Sequence, residues 1–472
     1  MLFSSVTFLY VFLPVVLILY FLVFRKNKDG RNVFLFFASL VFSAWGEPKF
    51  VFVIIMCIII NWFFGIQIEM IRNKGKTPKY FLIADIVFNL VVLYVFKYLC
   101  FSIEIFSRIT GKQMSVPVIA LPIGISFFTF QAMSYVIDVY RGNADAQKSI
   151  LDVGLYISFF PQLIAGPIVR YETIADEIVN RRETIEDLTG GFARFIIGLS
   201  KKVLLANSFA LLADGAFQTS IQGNASLSVC YSWLGAIAYT LQIFFDFSGY
   251  SDMAIGLGSV FGFHFQENFC YPYISTSVSD FWRRWHISLG SWFRDYLYIP
   301  LGGSRKGLPR TIFNLFIIWF LTGLWHGANT TFIVWGLLYF VLITAEKLTE
   351  FEKHNKKFIF LRWAYTMFFV VLGWVIFRAD SLHAAIDYLK AMFGLNGNPF
   401  SDGNFQGFFT QNQILLALGV VFCTPITERI SRKLGNNSVW QMLRAVMLVF
   451  LLILSVSSLV SSSYNPFIYF QF

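Results

Sequence analysis

Apolar runs of membrane-spanning length recur from one end of this chain to the other, and they restrict it to a fold that hides backbone polar groups from lipid. The first, Val6 to Phe24, has no basic segment before it and is followed by RKNKDGR, so it reads as a retained membrane helix and not a cleaved signal. Further runs lie near Asn32–Trp45, Phe50–Glu69, Tyr80–Leu99, Val116–Tyr140, Gly190–Ala213 and Ser228–Phe247. Others lie near Thr311–Gly327, Thr331–Glu346, Leu361–Phe377, Gln413–Pro425 and Val439–Val460. About twelve spans result, several shorter than the ~20 residues an untilted helix needs. Tyr156–Pro167 and Tyr250–Phe263, rich in Gly or Pro, read as broken or re-entrant pieces, which lipid tolerates only where protein or a wet cavity covers them. The expected class is an all-α polytopic membrane protein forming one domain over residues 1–472.

Composition agrees. Only 14% of the residues are charged and 57% are hydrophobic, against about 25% charged in soluble domains. The net charge of +10 could suggest nucleic acid, but most of the 37 Lys and Arg fall in short clusters between apolar runs. That pattern fits cytoplasmic loops under the positive-inside rule, and argues for lipid headgroups and against nucleic acid as the partner. An even number of spans then leaves both termini extracytoplasmic.

Several chemistries lose their usual evidence. The five Cys are scattered without a CxxC pair, and no HxxxH, HExxH or Cys/His cluster is present, so neither a disulfide framework nor a metal site is expected. No GxSxG elbow or Walker loop exists, and Gly256, Gly258 and Gly262 follow a membrane segment and read as packing residues. No internal repeat is evident, which weakens a transporter built from inverted halves.

The segment Ser279–Gly303, SDFWRRWHISLGSWFRDYLYIPLGG, carries the most information. Successive residues placed 100° apart predict an amphipathic helix from Phe281, capped by Ser279 or Asp280, on the cytoplasmic side. Its Trp residues face the apolar side, and Arg283, Arg284 and Arg294 face the other. An interfacial helix with arginines on lipid phosphates accounts for most of this. It does not account for His286 on the apolar arc, where burial keeps an imidazole neutral. His326, in FLTGLWHGANTT, ends an apolar span between Gly323 and Gly327, a costly place for an ionisable group. Trp325 and Asn329 adjoin it as candidate supports. His264, His354 and His383 read as solvated or simply packed.

These two histidine motifs, FWRRWHISLGSWFRDYLYIPLGG and LTGLWHGA, together resemble the signature of bacterial membrane-bound O-acyltransferases, in the alginate O-acetyltransferase-like branch. LPIGISFFTFQAMSYVIDVYRG, SFFPQLIAGPIVRY and DFSGYSDMAIGLGSVFGFHFQENFCYPY extend the likeness over nearly the whole chain. The resemblance implies helices around a central tunnel and no bound cofactor. It also implies acetyl-CoA as cytosolic donor and an exported polysaccharide hydroxyl as final acceptor, reached through an extracytoplasmic, SGNH-like partner. It assigns His326 and His286 as catalytic. The ending SSSYNPFIYFQF, within the extracytoplasmic tail 461–472, resembles endings in this branch and implies Tyr469 as an acyl carrier. A phenyl ester is chemically suitable, because the phenol pKa of about 10 lies near a thiol's. Arg283, Arg284 and Arg294 would hold donor phosphates. Two other readings stand beside this one: D-alanyl or acyl transfer from a carrier protein to a teichoic-acid-like polymer, and a proton-coupled transporter or flippase.

Overall fold

The computed structural model describes residues 1–221, 227–353, 358–435, 437–462 and 464–471, so His354 lies outside the described residues. Among them the secondary structure is helical throughout. Contacts divide the chain into residues 1–195 with 250–266, and residues 196–249 with 267–472.

The first unit contains α1 (Phe8–Val23), α2 (Lys28–Ala44), α3 (Phe50–Asn73) and α4 (Lys79–Thr110). It continues with α5 (Ile125–Arg141), α6 (Ile150–Ser158) and α7 (Tyr171–Asn180). Helix α5 is its core element, with every residue from Ile125 to Val139 buried. The span expected over Val116–Tyr140 is therefore helical only in its second part. Gly111, in the left-handed region at φ 66°, ends α4, and Pro117 and Pro122 keep the connection from coiling. Between α3 and α4 the side chains of Asn61 and Asn89 bond each other at 3.0 and 3.2 Å, satisfying amides that lipid could not. The break expected in Tyr156–Pro167 is present. Helix α6 stops at Ser158, one turn follows over Phe160–Leu163, and the freed Phe160 amide donates to Ser39 at 3.1 Å.

Two long helices follow, α8 (Ile185–Thr219) and α9 (Val229–Val260). Tyr250–Phe263 is not re-entrant: its first eleven residues are the last three turns of the continuous α9. The glycines there serve close packing, since a Cβ on Gly256 would stand 2.5 Å from the Gly191 carbonyl oxygen.

The second unit adds α10 (Val278–Arg284), α11 (Ile287–Phe293), α12 (Leu308–His326), α13 (Thr330–Leu348) and α14 (Ile359–Arg378). It ends with α15 (Leu382–Met392), α16 (Gly403–Phe422), α17 (Ile426–Leu434) and α18 (Ser438–Ser461). Only 6% of the apolar windows of α16 and α18 is buried, leaving broad faces for lipid. Eight helices among the described residues are long and apolar enough to cross a membrane, with α1 a shorter apolar one, so the expected twelve spans are not reached by length and composition. The difference arises where a run is shorter than its lipid path, as in α2 and α5, or is diluted by polar groups, as in α9. The protein is a multi-pass membrane protein.

Candidate functional site

The site forms in the second unit, around a break in the segment expected to be one amphipathic helix. Helix α10 begins at Val278, three residues before the expected start, because Ser277 and not Ser279 or Asp280 is its cap: its hydroxyl accepts from the Asp280 amide at 2.8 Å. Glu346 of α13, itself buried, accepts from the amides of Val278 and Ser279 at 2.6 and 2.8 Å. A carboxylate at a helix N-terminus is electrostatically favoured.

The helix then breaks. Trp285 is extended, and His286 occupies the left-handed region at φ 49°, ψ 51°. A non-glycine residue pays roughly 1–2 kcal/mol for that conformation. The stretch Asn268–Cys270 enforces it. The Cys270 amide donates to the Arg284 carbonyl, and the Ile287 amide to the Asn268 carbonyl, both at 2.9 Å. The Asn268 side-chain oxygen accepts from the Ser288 amide at 3.0 Å and its hydroxyl at 2.9 Å. These bonds replace the helical ones on both sides of the break. The helical projection thus fails at its centre, and His286 is aimed by the break instead.

His286 is 3% exposed, with its ring 6.1 Å from that of Phe269 and 6.0 Å, edge-on, from that of Trp325. Burial pushes its imidazole down to about 3, so it is neutral at physiological pH. Strain at a buried, neutral histidine is a functional signature when the surroundings over-determine it. His286→Asn retains a side chain tolerant of the left-handed region. Its melting temperature should stay within a few degrees of the parent, while turnover falls at least about tenfold; parental turnover would reduce His286 to packing.

His326 ends α12, and its own neighbour Trp325 contacts both histidines, with its ring 5.0 Å from that of His326. Trp335 and Phe377 meet His326 edge-on at 5.0 and 5.2 Å. Trp285, Trp374 and Trp335 continue the wall, with Trp374 4.8 Å from Trp285 and 6.1 Å from Trp335. Both histidines therefore sit in one buried aromatic enclosure, where hydrogen bonds and charges act at low dielectric. Helices α12 and α13 build it by approaching through glycine. A Cβ on Gly323 would stand 2.4 Å from the Phe332 carbonyl oxygen, and one on Gly336 2.3 Å from that of Trp319. Asn329 serves the turn: it accepts from the Thr331 amide at 3.2 Å as cap of α13 and donates to the Asp380 carbonyl at 2.9 Å.

The arginines lie outside the enclosure. Arg283 is 58% exposed and bonds Glu352 at 2.5 Å, which holds Glu352 below the usual carboxylate range. Arg284 pairs with Asp280 at 3.1 Å, and Arg294 with Asp295 at 2.7 Å. Their planar donors suit phosphate.

The C-terminal segment returns to the second unit. Tyr469 is half-buried, its ring 6.3 Å from both Phe247 and Phe467, against the core cluster that includes Trp285, Trp335 and Trp374. The sequence reading missed the groups that grip this segment, Lys202, Asp246, Asp214 and Arg378. An acid inside the run IFFDFSGY and a lysine inside GLSKKVLLA were signals of the kind that marked His326. In the first unit His264 is more than a solvated ring: its two nitrogens meet Glu177 at 2.8 Å and Asp187 at 3.0 Å. Those bonds, Asp187's foremost, raise its pKa. His383 is exposed beside Asp387 at 3.1 Å.

A family model for membrane-bound O-acyltransferases matches residues 50–384. The chain belongs to the membrane-bound O-acyltransferase family. It is 39% identical to a probable alginate O-acetylase AlgI of Pseudomonas putida over 100% of both chains. With the probable alginate O-acetylase AlgI of Pseudomonas aeruginosa it shares 42% identity over 89% of this chain and 81% of that one. A peptidoglycan O-acetyltransferase of Helicobacter pylori is 35% identical over 84% of this chain and 80% of its own. The protein is accordingly a membrane O-acyltransferase of the alginate O-acetylase-like branch. Both histidine motifs lie inside the matched span.

Proposed function

We propose that this enzyme moves acetyl groups from cytosolic acetyl-CoA to hydroxyls of an exported cell-envelope polysaccharide. The observation that carries the reading is the pair His286 and His326, both buried and both in ring contact with Trp325. The names of the relatives, alginate O-acetylase and peptidoglycan O-acetyltransferase, support the acyl group and the polymeric acceptor.

In this mechanism the basic loops face the cytosol, and Arg283, Arg284 and Arg294 receive the CoA phosphates by exchanging their carboxylate partners. The thioester reaches the enclosure through a tunnel. His326 takes the proton of the attacking hydroxyl as a C–O bond forms to the acyl carbon; the C–S bond breaks, and the proton passes to the departing thiolate. His286, neutral and fixed, orients the acyl carbonyl. The first acceptor is the Tyr469 phenol, giving an aryl ester still activated toward an aliphatic hydroxyl. An SGNH-like extracytoplasmic partner then accepts the acetyl group, frees the phenol and delivers the acetyl to the polymer.

Vesicles holding the purified protein test the reading, with labelled acetyl-CoA on one face and the partner with soluble alginate or glycan strands on the other. One CoA released per ester formed on the polymer is expected. Polymer or lipid-linked sugar crossing the membrane with no CoA released would mark a transporter; label arriving only from an acyl carrier protein would mark the D-alanyl-type route. Tyr469→Phe in the same vesicles should cut ester formation at least about a hundredfold, and undiminished ester would remove the tyrosine from the path.

A further inference from the structure

The C-terminal segment is gripped through its backbone by a buried ion pair. Lys202 in α8 and Asp246 in α9 lie 2.7 Å apart, with 2% and 1% of their side chains exposed. Each also reaches the tail. The Lys202 ammonium donates to the Pro466 carbonyl and stands 5.6 Å from the centre of the Phe467 ring. The second oxygen of Asp246 accepts from the Ile468 amide at 2.9 Å. A second grip lies upstream: the Tyr464 hydroxyl donates to Asp214, which is paired with Arg378. The Arg378 guanidinium covers the rings of Phe217 and Tyr239 at 4.6 and 4.8 Å.

Holding α8 to α9 does not require this pair. Sequestering two charges is costly before their attraction offsets it, and apolar side chains of equal volume often hold helices as well. What apolar side chains lack is a partner for the carbonyl and amide of an irregular segment lodged among apolar helices, where an unbonded backbone group is expensive. Lys202 bonds a carbonyl and Asp246 an amide two residues on. The pair therefore fixes the direction and register of the chain immediately before Tyr469, whatever the tail's side chains are.

We propose that Lys202 and Asp246 are positioning residues that seat the tail so that the Tyr469 phenol meets the acyl group. They act through the tail backbone, not on the reacting atoms, and the inference rests on the acyl-tyrosine reading above. It is tested with the full-length protein and three variants. Lys202→Met/Asp246→Leu removes the pair without stranding a charge; Ile468→Pro keeps the pair and removes the amide that donates to Asp246, together with the buried Ile468 side chain; Tyr469→Phe leaves the grip intact. Hydrogen exchange of the peptide from residue 464 onward, the melting temperature, and kcat and KM for acetyl-CoA are measured on each.

The double variant should melt near the parent, lose tail protection, and lower kcat by about a hundredfold at unchanged KM, as expected when a reacting group is misplaced by about 1 Å. Ile468→Pro should do the same to a smaller degree, and it covers the case in which the double variant fails to fold. Tyr469→Phe should lower kcat with the tail still protected. A tail that stays protected without the ion pair overturns the proposal. So does parental kcat with the tail released, provided Tyr469→Phe is inactive. Parental kcat in Tyr469→Phe instead overturns the relay, and with it the purpose given to the grip, so the two failures are told apart.

Discussion

His326→Ala should lower acetyl transfer by about three orders of magnitude, the middle of the range for removing a positioned general base, while the protein still assembles. The expectation follows from what surrounds the ring. Trp325, Trp335 and Phe377 all meet it within 5.2 Å, so the imidazole is held in one orientation and screened from bulk water. Alanine leaves a gap among aromatic rings, costing about 2–4 kcal/mol of packing at most, which the rest of the unit can bear. His326→Gln refills most of that gap without restoring a base, and should be equally inactive. CoA release and ester formation by purified protein measure both. Parental rates in either variant would take His326 out of the chemistry and leave it as a helix-end packing group.

The second large effect is structural. Gly336→Val should cost at least about 3 kcal/mol, the upper range for overpacking, and leave little protein extractable as a monodisperse species. Its Cβ would meet the Trp319 carbonyl oxygen at 2.3 Å, and that backbone atom cannot step aside without opening the α12–α13 hairpin. Opening it separates His326 on α12 from Trp335 on α13. Gly323→Val meets the same limit from the other helix, at the Phe332 carbonyl oxygen. Gly46→Ala, where a Cβ has nothing within 4 Å, is the control and should behave as the parent. Detergent extraction yield and melting temperature report the outcome; a Gly336→Val protein melting with the parent would mean that the hairpin is not closed this tightly.

The sequence was legible wherever one stretch of chain determined its own state. The apolar runs of α3, α12, α13, α14 and α18 became helices within a few residues of expectation, α4 began where expected but ran eleven residues past Leu99, and the family followed from the two histidine motifs. It was not legible where distant stretches decide. Nothing in Ser279–Gly303 shows that Asn268–Cys270 will take over the hydrogen bonds of residues 284–288 and turn His286 out of the helix. Glycines near residue 256 suggested a re-entrant piece because helix propensity is low there, whereas close approach to Gly191 stabilises a continuous helix. Lys202 and Asp246 stood in plain view as charges inside apolar runs, but their meaning depends on a tail more than two hundred residues away, gripped through its backbone. His264 needed two acids from α7 and α8 to be seen as a clasp.

A single-turnover experiment bears most directly on the transfer route. Reconstituted protein receives isotopically labelled acetyl-CoA without any polymer or partner, the reaction is stopped in acid, and the C-terminal peptide is weighed by mass spectrometry. The account predicts an acetyl group on Tyr469 that appears with CoA release, disappears when partner and polymer are added, and forms about a thousandfold more slowly in His326→Ala. An unlabelled peptide alongside full ester formation on the polymer, or a His326→Ala protein labelled as fast as the parent, contradicts it.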